Sequence, residues 1–384
     1  HAHKIEISIK DGGITSIQVI DDGVGMDSSD AVMAFERHAT SKIHSDSDLW
    51  AINTMGFRGE ALPSIASVSR VSLSTNDTQE ATSVMIEYGQ TIAVKPYYCP
   101  EGTQIIVEDL FQKTPARLKH LKSRQYEAAI ISGNIEKFAL SRPDIAFTYI
   151  SDGKEMFRSK GNGDLQEVVG TIYGMDVARN AIVVSGQDYD YRLTGMYALP
   201  SINRATKNYI NIFVNSRMIR SYRLQKVVME AFKDYIPEDR YPIIVLDVIM
   251  DSKLVDVNVH PNKLDVKIED SGKLFGLILH HVSEILLNIN YVKSIDDSIK
   301  PTNISLPKTE SEIKEQIEKE KESLNFFLSS SKPNNFNFSV NSDAGLTYKM
   351  AESAVVNNIQ QEPEVVEIKN LNYLIYIIIV EMQY

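Results

Sequence analysis

The first strong pattern in the chain is an alternation. From Lys4 to Lys10, Ile5, Ile7 and Ile9 are separated by Glu6 and Ser8. A period of two belongs to a strand with one buried face. Asp11-Gly12-Gly13 predicts a turn and Ile14 to Ile20 a second strand, so the chain opens on a hairpin. Strands are expected again at Arg70–Ser74 and Ile105–Val107, with a hairpin at Phe147–Ile150 and Glu155–Arg158 around Asp152-Gly153. Helices are expected at Ala31–His38, after Asp27-Ser28-Ser29-Asp30, and at Ser123–Leu140, closed by Ser141-Arg142-Pro143.

A second unit is expected from Asp164. It holds a helix at Leu165–Tyr173, strands between 181 and 198, a strand at Tyr209–Val214, a helix at Arg223–Asp234, a strand at Ile243–Ile249 and a helix at Leu274–Asn288. Strand, helix and strand in that order predict a βαβ crossover. The fold class is therefore α+β, with units at 1–163 and 164–289. Residues 290–370 turn to Ser, Asn, Lys and Glu and read as a disordered linker. Residues 371–384 are expected to be the remnant of a further domain or an out-of-frame tail. Their apolar run, Tyr373 to Val380, falls short of the roughly 20 residues that span a bilayer.

Charge and cysteine narrow the function. A net charge of −11 argues against a protein that coats nucleic acid by bulk charge, though a local basic stripe remains open. Cys99 is the only cysteine, so neither an intramolecular disulfide nor a four-cysteine zinc site can form. A reducing, cytoplasmic compartment fits, and His1 to Glu6 has no signal-peptide pattern.

Five segments carry candidate chemistry. Asp21-Asp22-Gly23-Val24-Gly25 ends a strand; its glycines allow a sharp turn, and a carboxylate there can accept from an exocyclic amine. An Asp-Gly turn is common in its own right, and Ser28 stands where a dinucleotide-binding loop wants its third glycine. Arg37-His38-Ala39-Thr40-Ser41-Lys42 offers hydroxyls and a cation to phosphate, or is a solvated helix end. Gly56-Phe57-Arg58-Gly59-Glu60-Ala61-Leu62 is a glycine-framed loop entering a helix, which presents free N–H groups to phosphate. Gly102-Thr103 opens a strand that leads to Asp109-Leu110-Phe111 and Thr114-Pro115-Ala116-Arg117. Asp256-Val257-Asn258-Val259-His260-Pro261-Asn262-Lys263 places a lysine on a loop, where it can reach a phosphate as a point charge. His260 has no partner at metal spacing and reads as structural.

Taken in this order, the five segments resemble the MutL family, the mismatch repair branch of the GHKL ATPases. Asp-x-Gly-x-Gly alone indicates only GHKL; the other four are specific to the branch. The resemblance covers roughly residues 1 to 290. It implies a GHKL (Bergerat) α/β sandwich followed by a ribosomal-protein-like βαβ transducer domain. It also implies an ATP site: Asp21 at the adenine, Gly23 and Gly25 shaping the pocket, Thr103 on the adenine side, and Thr40, Ser41 and Lys42 in the lid. Gly56, Phe57, Arg58, Gly59, Glu60, Ala61 and Leu62 would cradle the triphosphate, and Lys263 would reach the γ-phosphate from the second unit. Arg217, Arg220 and Arg223 resemble a basic rim for DNA, although an extra residue precedes Arg223.

Two expectations concern the ends. The family's general-base Glu and magnesium-binding Asn lie on a helix before the first strand, and the sequence opens at His1 where that helix should finish. No catalytic residue or metal ligand is therefore assigned, and weak or absent ATP hydrolysis is expected of the chain as written. Asn370 to Leu374 resembles the start of the family's C-terminal dimerisation domain. The resemblance implies ATP and Mg²⁺ as cofactors. It implies mismatched or single-stranded DNA, a mismatch recognition protein and a downstream nuclease or helicase as partners, a homodimer in the full-length form, and a cytoplasmic, nucleoid-associated place. The alternative in another class is a non-hydrolysing, ATP-gated interaction module. A nicotinamide oxidoreductase built on the Gly23 turn is the remote third reading.

Overall fold

The computed structural model describes residues 2–36, 61–256, 267–268 and 271–296. The opening hairpin forms as β1 (Lys4–Lys10) and β2 (Ser16–Asp21), joined by a tight turn at Asp11–Gly13. α1 (Ser28–Met33) follows, its first turn capped by the Asp27 carboxylate, which accepts the Asp30 N–H at 2.8 Å. Next come α2 (Ala61–Ala66), β3 (Arg70–Asn76), β4 (Ala81–Glu87), β5 (Gln90–Pro96) and β6 (Gly102–Glu108). α3 (Pro115–His120), α4 (Arg124–Ser141), β7 (Ala146–Ser151) and β8 (Lys154–Arg158) complete the first half. The Ser123 hydroxyl caps α4 by accepting the Tyr126 N–H, and the buried Glu127 carboxylate accepts the Lys122 N–H.

These eight strands make one sheet, in the order β5-β4-β3-β6-β2-β1-β7-β8. Every pairing is antiparallel except that of β1 with β7. Alternation does the sorting: Ile5, Ile7 and Ile9 on β1, Ile17 and Val19 on β2, Ile105 and Val107 on β6, and Val71 and Leu73 on β3 are all buried. Strands β4 and β5 have no counterpart among the sequence expectations. The inward run of β4 begins with Thr82, which blunts its apolar pattern, and β5 is an edge strand whose residues are mostly exposed.

The second half contains α5 (Leu165–Tyr173), α6 (Met175–Arg179), β9 (Ala181–Gln187), β10 (Tyr191–Ala198), β11 (Asn203–Arg204), β12 (Ile210–Val214) and β13 (Arg217–Ile219). It continues with α7 (Tyr222–Phe232), β14 (Tyr241–Pro242), β15 (Ile244–Met250), β16 (Val255–Asp256), β17 (Lys267–Ile268) and α8 (Ser271–Asp296). Its main sheet runs β13-β12-β15-β10-β9. β12 and β15 are parallel neighbours with α7 between them in the chain, so the expected crossover is present, with the short β13 hairpin interposed. Helix α8 continues past residue 290, where a linker was expected to begin.

The residues up to Asn288 belong to one compact unit, and a second unit begins at Ile289. Within the first unit part of the second sheet packs against the first half. Val168, Val169, Met196, Phe213 and Val245 share one apolar cluster with Ile131, Phe138 and the inward residues of the large sheet, while Leu193, Leu246, Val248, Leu274 and Ile278 are buried outside that cluster. Among the described residues, no helix is long and apolar enough to cross a membrane.

The register puts Val19, Ile105, Leu73 and Val84 side by side across four strands, and Leu73 is fully buried. Leu73→Ala is expected to cost about 2–5 kcal/mol, because a close-packed row collapses poorly into a void. Urea denaturation followed by circular dichroism measures this; a loss under 1 kcal/mol would contradict the packing described.

Candidate functional site

Two residues further along, on the same face, the same four strands carry a different row. Asp21 pairs with Thr103, Thr103 with Thr75, and Thr75 with Thr82 across β2, β6, β3 and β4. All four are buried. Period-two alternation points Asp21 to the same face as Ile17 and Val19, so a carboxylate occupies a core position at the strand end. A buried carboxylate is costly unless its oxygens are paired. Asp21 Oδ1 accepts the Gly23 N–H at 2.7 Å. Asp21 Oδ2 is buried with no hydrogen-bond partner. Burial pushes the carboxyl up to about 6, partly offset by the Gly23 N–H.

The threonines around it differ in what they can still do. Thr75 Oγ1 accepts the Met26 N–H at 2.8 Å, donates to the Gly102 carbonyl at 3.2 Å, and lies 3.2 Å from Thr103 Oγ1. A hydroxyl has one proton, so with Thr75 donating to Gly102, Thr103 is the donor in the threonine pair. Thr75 is then saturated, while Thr103 keeps acceptor capacity beside Asp21. Two glycines bring the backbones this close. Gly102 has φ +116° and a Cβ on it would stand 2.2 Å from the Asp21 carbonyl oxygen; Gly25 has φ +69° and its Cβ would stand 2.0 Å from the Asn76 carbonyl oxygen.

Of the residues singled out in the sequence, Asp21, Gly23, Gly25 and Thr103 come together here. Ala61 is the first residue of α2, and Leu62 packs in the apolar core. Thr40, Ser41, Lys42, Gly56, Phe57, Arg58, Gly59, Glu60, Asn258, His260 and Lys263 lie outside the described residues. Thr75 and Thr82 escaped sequence reading; the only signal was a threonine in phase with the aliphatic residues of its strand. The topology rules out the dinucleotide-binding reading of the Gly23 turn. β2 lies between two antiparallel neighbours, β1 and β6, whereas that loop needs a parallel βαβ unit.

The basic residues are dispersed. Arg217 is buried on β13, whereas Arg220 and Arg223 are exposed around the start of α7. A groove is lined by Asn134, Lys137, Phe138, Phe213, Ser216 and Met218. Burial, and then the Arg220 charge, push Lys137 down to about 8. Around α3, Arg124 pairs with Asp11, and Lys113 and Lys122 lie over the Tyr88 and Tyr126 rings.

Comparison with known proteins identifies the fold and the family. An N-terminal domain of a DNA repair protein aligns over 76% of this chain and 91% of its own, with a TM-score of 0.64 at 23% identity. The ATPase domain of the mismatch repair endonuclease MutL from Aquifex aeolicus aligns over 73% and 91%, with a TM-score of 0.50 at 20% identity. The fold is thus the α+β fold of these two solved domains. Residues 169–287 match the family described as DNA mismatch repair protein, C-terminal domain. MutL of Limosilactobacillus reuteri is 41% identical over 318 residues, which is 82% of this chain and 48% of that protein. MutL of Listeria monocytogenes is 39% identical over 330 residues, or 86% and 55%. The chain belongs to the MutL family of DNA mismatch repair proteins, and it spans about half the length of the curated relatives it matches.

The unpaired carboxylate predicts a stability signature. A folded-state value near 6 against 3.8 means the ionised form is disfavoured by folding. The cost is absent below about pH 4, grows as pH rises through 6, and reaches roughly 3 kcal/mol above that. Asp21→Asn removes the charge while keeping the shape. It is expected to raise the thermal midpoint at pH 8 and to make no difference at pH 4. Equal midpoints at both pH values would contradict this reading of the site.

Proposed function

We propose that this chain is the nucleotide-binding part of a mismatch repair protein, and that ATP is its ligand. The observation that carries the reading is Asp21 Oδ2, a buried acceptor with no partner. The exocyclic amine of adenine supplies the missing donor, and Thr103 offers a second polar contact beside it. Guanine carries an oxygen at the equivalent position, and two acceptors facing each other repel. The site therefore selects adenine by leaving wrong bases with an unpaired buried charge.

The rest of the proposed site follows the family resemblance. Thr40, Ser41 and Lys42 form the lid; Gly56 to Leu62 cradle the triphosphate; and Lys263, in the segment 164–289 proposed as a transducer domain, reports on the terminal phosphate. Mg²⁺ would neutralise phosphate charge alongside the nucleotide, and no side chain of this chain is assigned to it. Closure of the lid on ATP drives dimerisation of two such modules in the full-length protein, which then engage DNA, a mismatch recognition protein and a downstream nuclease or helicase. The proposed compartment is the cytoplasm, at the nucleoid if the source is bacterial. Arg217, Arg220 and Arg223 are the proposed DNA residues; the exposure of Arg220 and Arg223, with Lys137 close to Arg220, supports a shared anionic partner.

Two measurements test these readings. A fluorescent ATP analogue titrated into the purified chain is expected to bind, to be displaced by ATP at least tenfold more readily than by GTP, and to bind at least tenfold more weakly to Asp21→Asn. Asparagine fails in either orientation, because its NH₂ meets a donor on one side or the other. Binding that ignores this substitution would overturn the adenine assignment. For DNA, affinity should fall steeply with salt and weaken in Arg223→Glu; salt-insensitive binding would count against the basic rim.

A further inference from the structure

Helix α8 carries two adjacent histidines, His280 and His281, one turn before Glu284. Successive helical residues are about 100° apart, so the two histidines diverge while Glu284 projects between them, about 40° from His280. Glu284 Oε2 lies 3.7 Å from His280 Nε2 and 4.0 Å from His281 Nδ1. All three donor atoms lie within 4.8 Å of one another. Donors at about 2.1 Å from one tetrahedral ion stand roughly 3.4 Å apart, a distance that small rotations of His280 and Glu284 reach. Both of those side chains are more than half exposed and free to rotate, whereas that of His281 is 21% exposed.

His281 is the fixed member, and β9 fixes it. A Cβ on Gly186 would stand 2.2 Å from His281 Cδ2 and 2.4 Å from Nε2. The bare glycine lets that edge of the imidazole rest on the strand. Nδ1, on the opposite side of the ring, is thereby turned toward Glu284. The histidine pair, the carboxylate between them and the glycine seat lie outside the nucleotide site.

We propose that His280, His281 and Glu284 bind one divalent transition-metal ion of the zinc class, with water in the remaining positions. Two imidazole nitrogens and one carboxylate oxygen suit a borderline cation; Mg²⁺ and Ca²⁺ prefer all-oxygen sets. The ion bridges one turn of α8 and, through His281, holds that turn over β9.

The test uses the metal-free 384-residue chain, with Zn²⁺ titrated against a chromophoric chelator in excess Mg²⁺. One equivalent of Zn²⁺ is expected to bind. The His280→Ala/His281→Ala double variant and Glu284→Gln should each weaken it at least tenfold. Glu284 is more than half exposed, so circular dichroism of Glu284→Gln should be unchanged. Gly186→Ala should also weaken binding, by lifting the ring off β9. The other nearby histidine pair in the sequence, His1 and His3, is the control: His1→Ala/His3→Ala should leave the equivalent in place. The proposal is overturned if the wild type binds no Zn²⁺, if the equivalent survives loss of His280 and His281, or if it disappears with His1 and His3.

Discussion

The site depends on one carboxylate placed where a core residue belongs. Asp21 is in phase with Ile17 and Val19, at the end of a strand whose inner face is otherwise aliphatic. One oxygen is held by the Gly23 N–H, and the other has no partner. Such an arrangement opposes folding at neutral pH, so the surrounding sheet must hold it. The aliphatic row of Val19, Ile105, Leu73 and Val84 lies next to it and supplies that support. A partner that donates to the free oxygen recovers the loss, which makes ligand binding and stability two readings of the same defect.

The glycines near Asp21 serve approach more than flexibility. Gly102 and Gly25 both have positive φ, and both face carbonyl oxygens at distances no side chain could tolerate. They bring the loop after β2 against the ends of β3 and β6. Without that contact Thr75 could not saturate itself on Met26 and Gly102, and Thr103 would have no fixed orientation. The second half of the chain is attached by packing as well as by sequence. Phe213 and Val245 of its sheet lie in the same apolar cluster as Phe138 of α4.

Much of the fold was legible. The period of two in β1 and β2, the helices at Ser123–Leu140 and Leu165–Tyr173, and the order of elements after residue 164 were readable because each depends on neighbours a few residues away. Strands β4 and β5 were not. An edge strand is defined by what it pairs with, and a buried threonine at the head of β4 mimics a solvated position. For the same reason Thr75 was invisible as part of the site: its role comes from hydrogen bonds to residues 26, 102 and 103.

By itself the sequence determined the family, the α+β class and the identity of the acidic residue at the strand end. These are carried by local periodicity and by motifs in a fixed order. Tertiary structure decided that Asp21 points inward, that one of its oxygens goes unpaired, and that three threonines from separate strands stand abreast of it. It also decided that a glycine on β9 seats His281 beside Glu284. Each of these depends on strand register or on contact between distant segments, and neither is written in the order of residues along a single strand or helix.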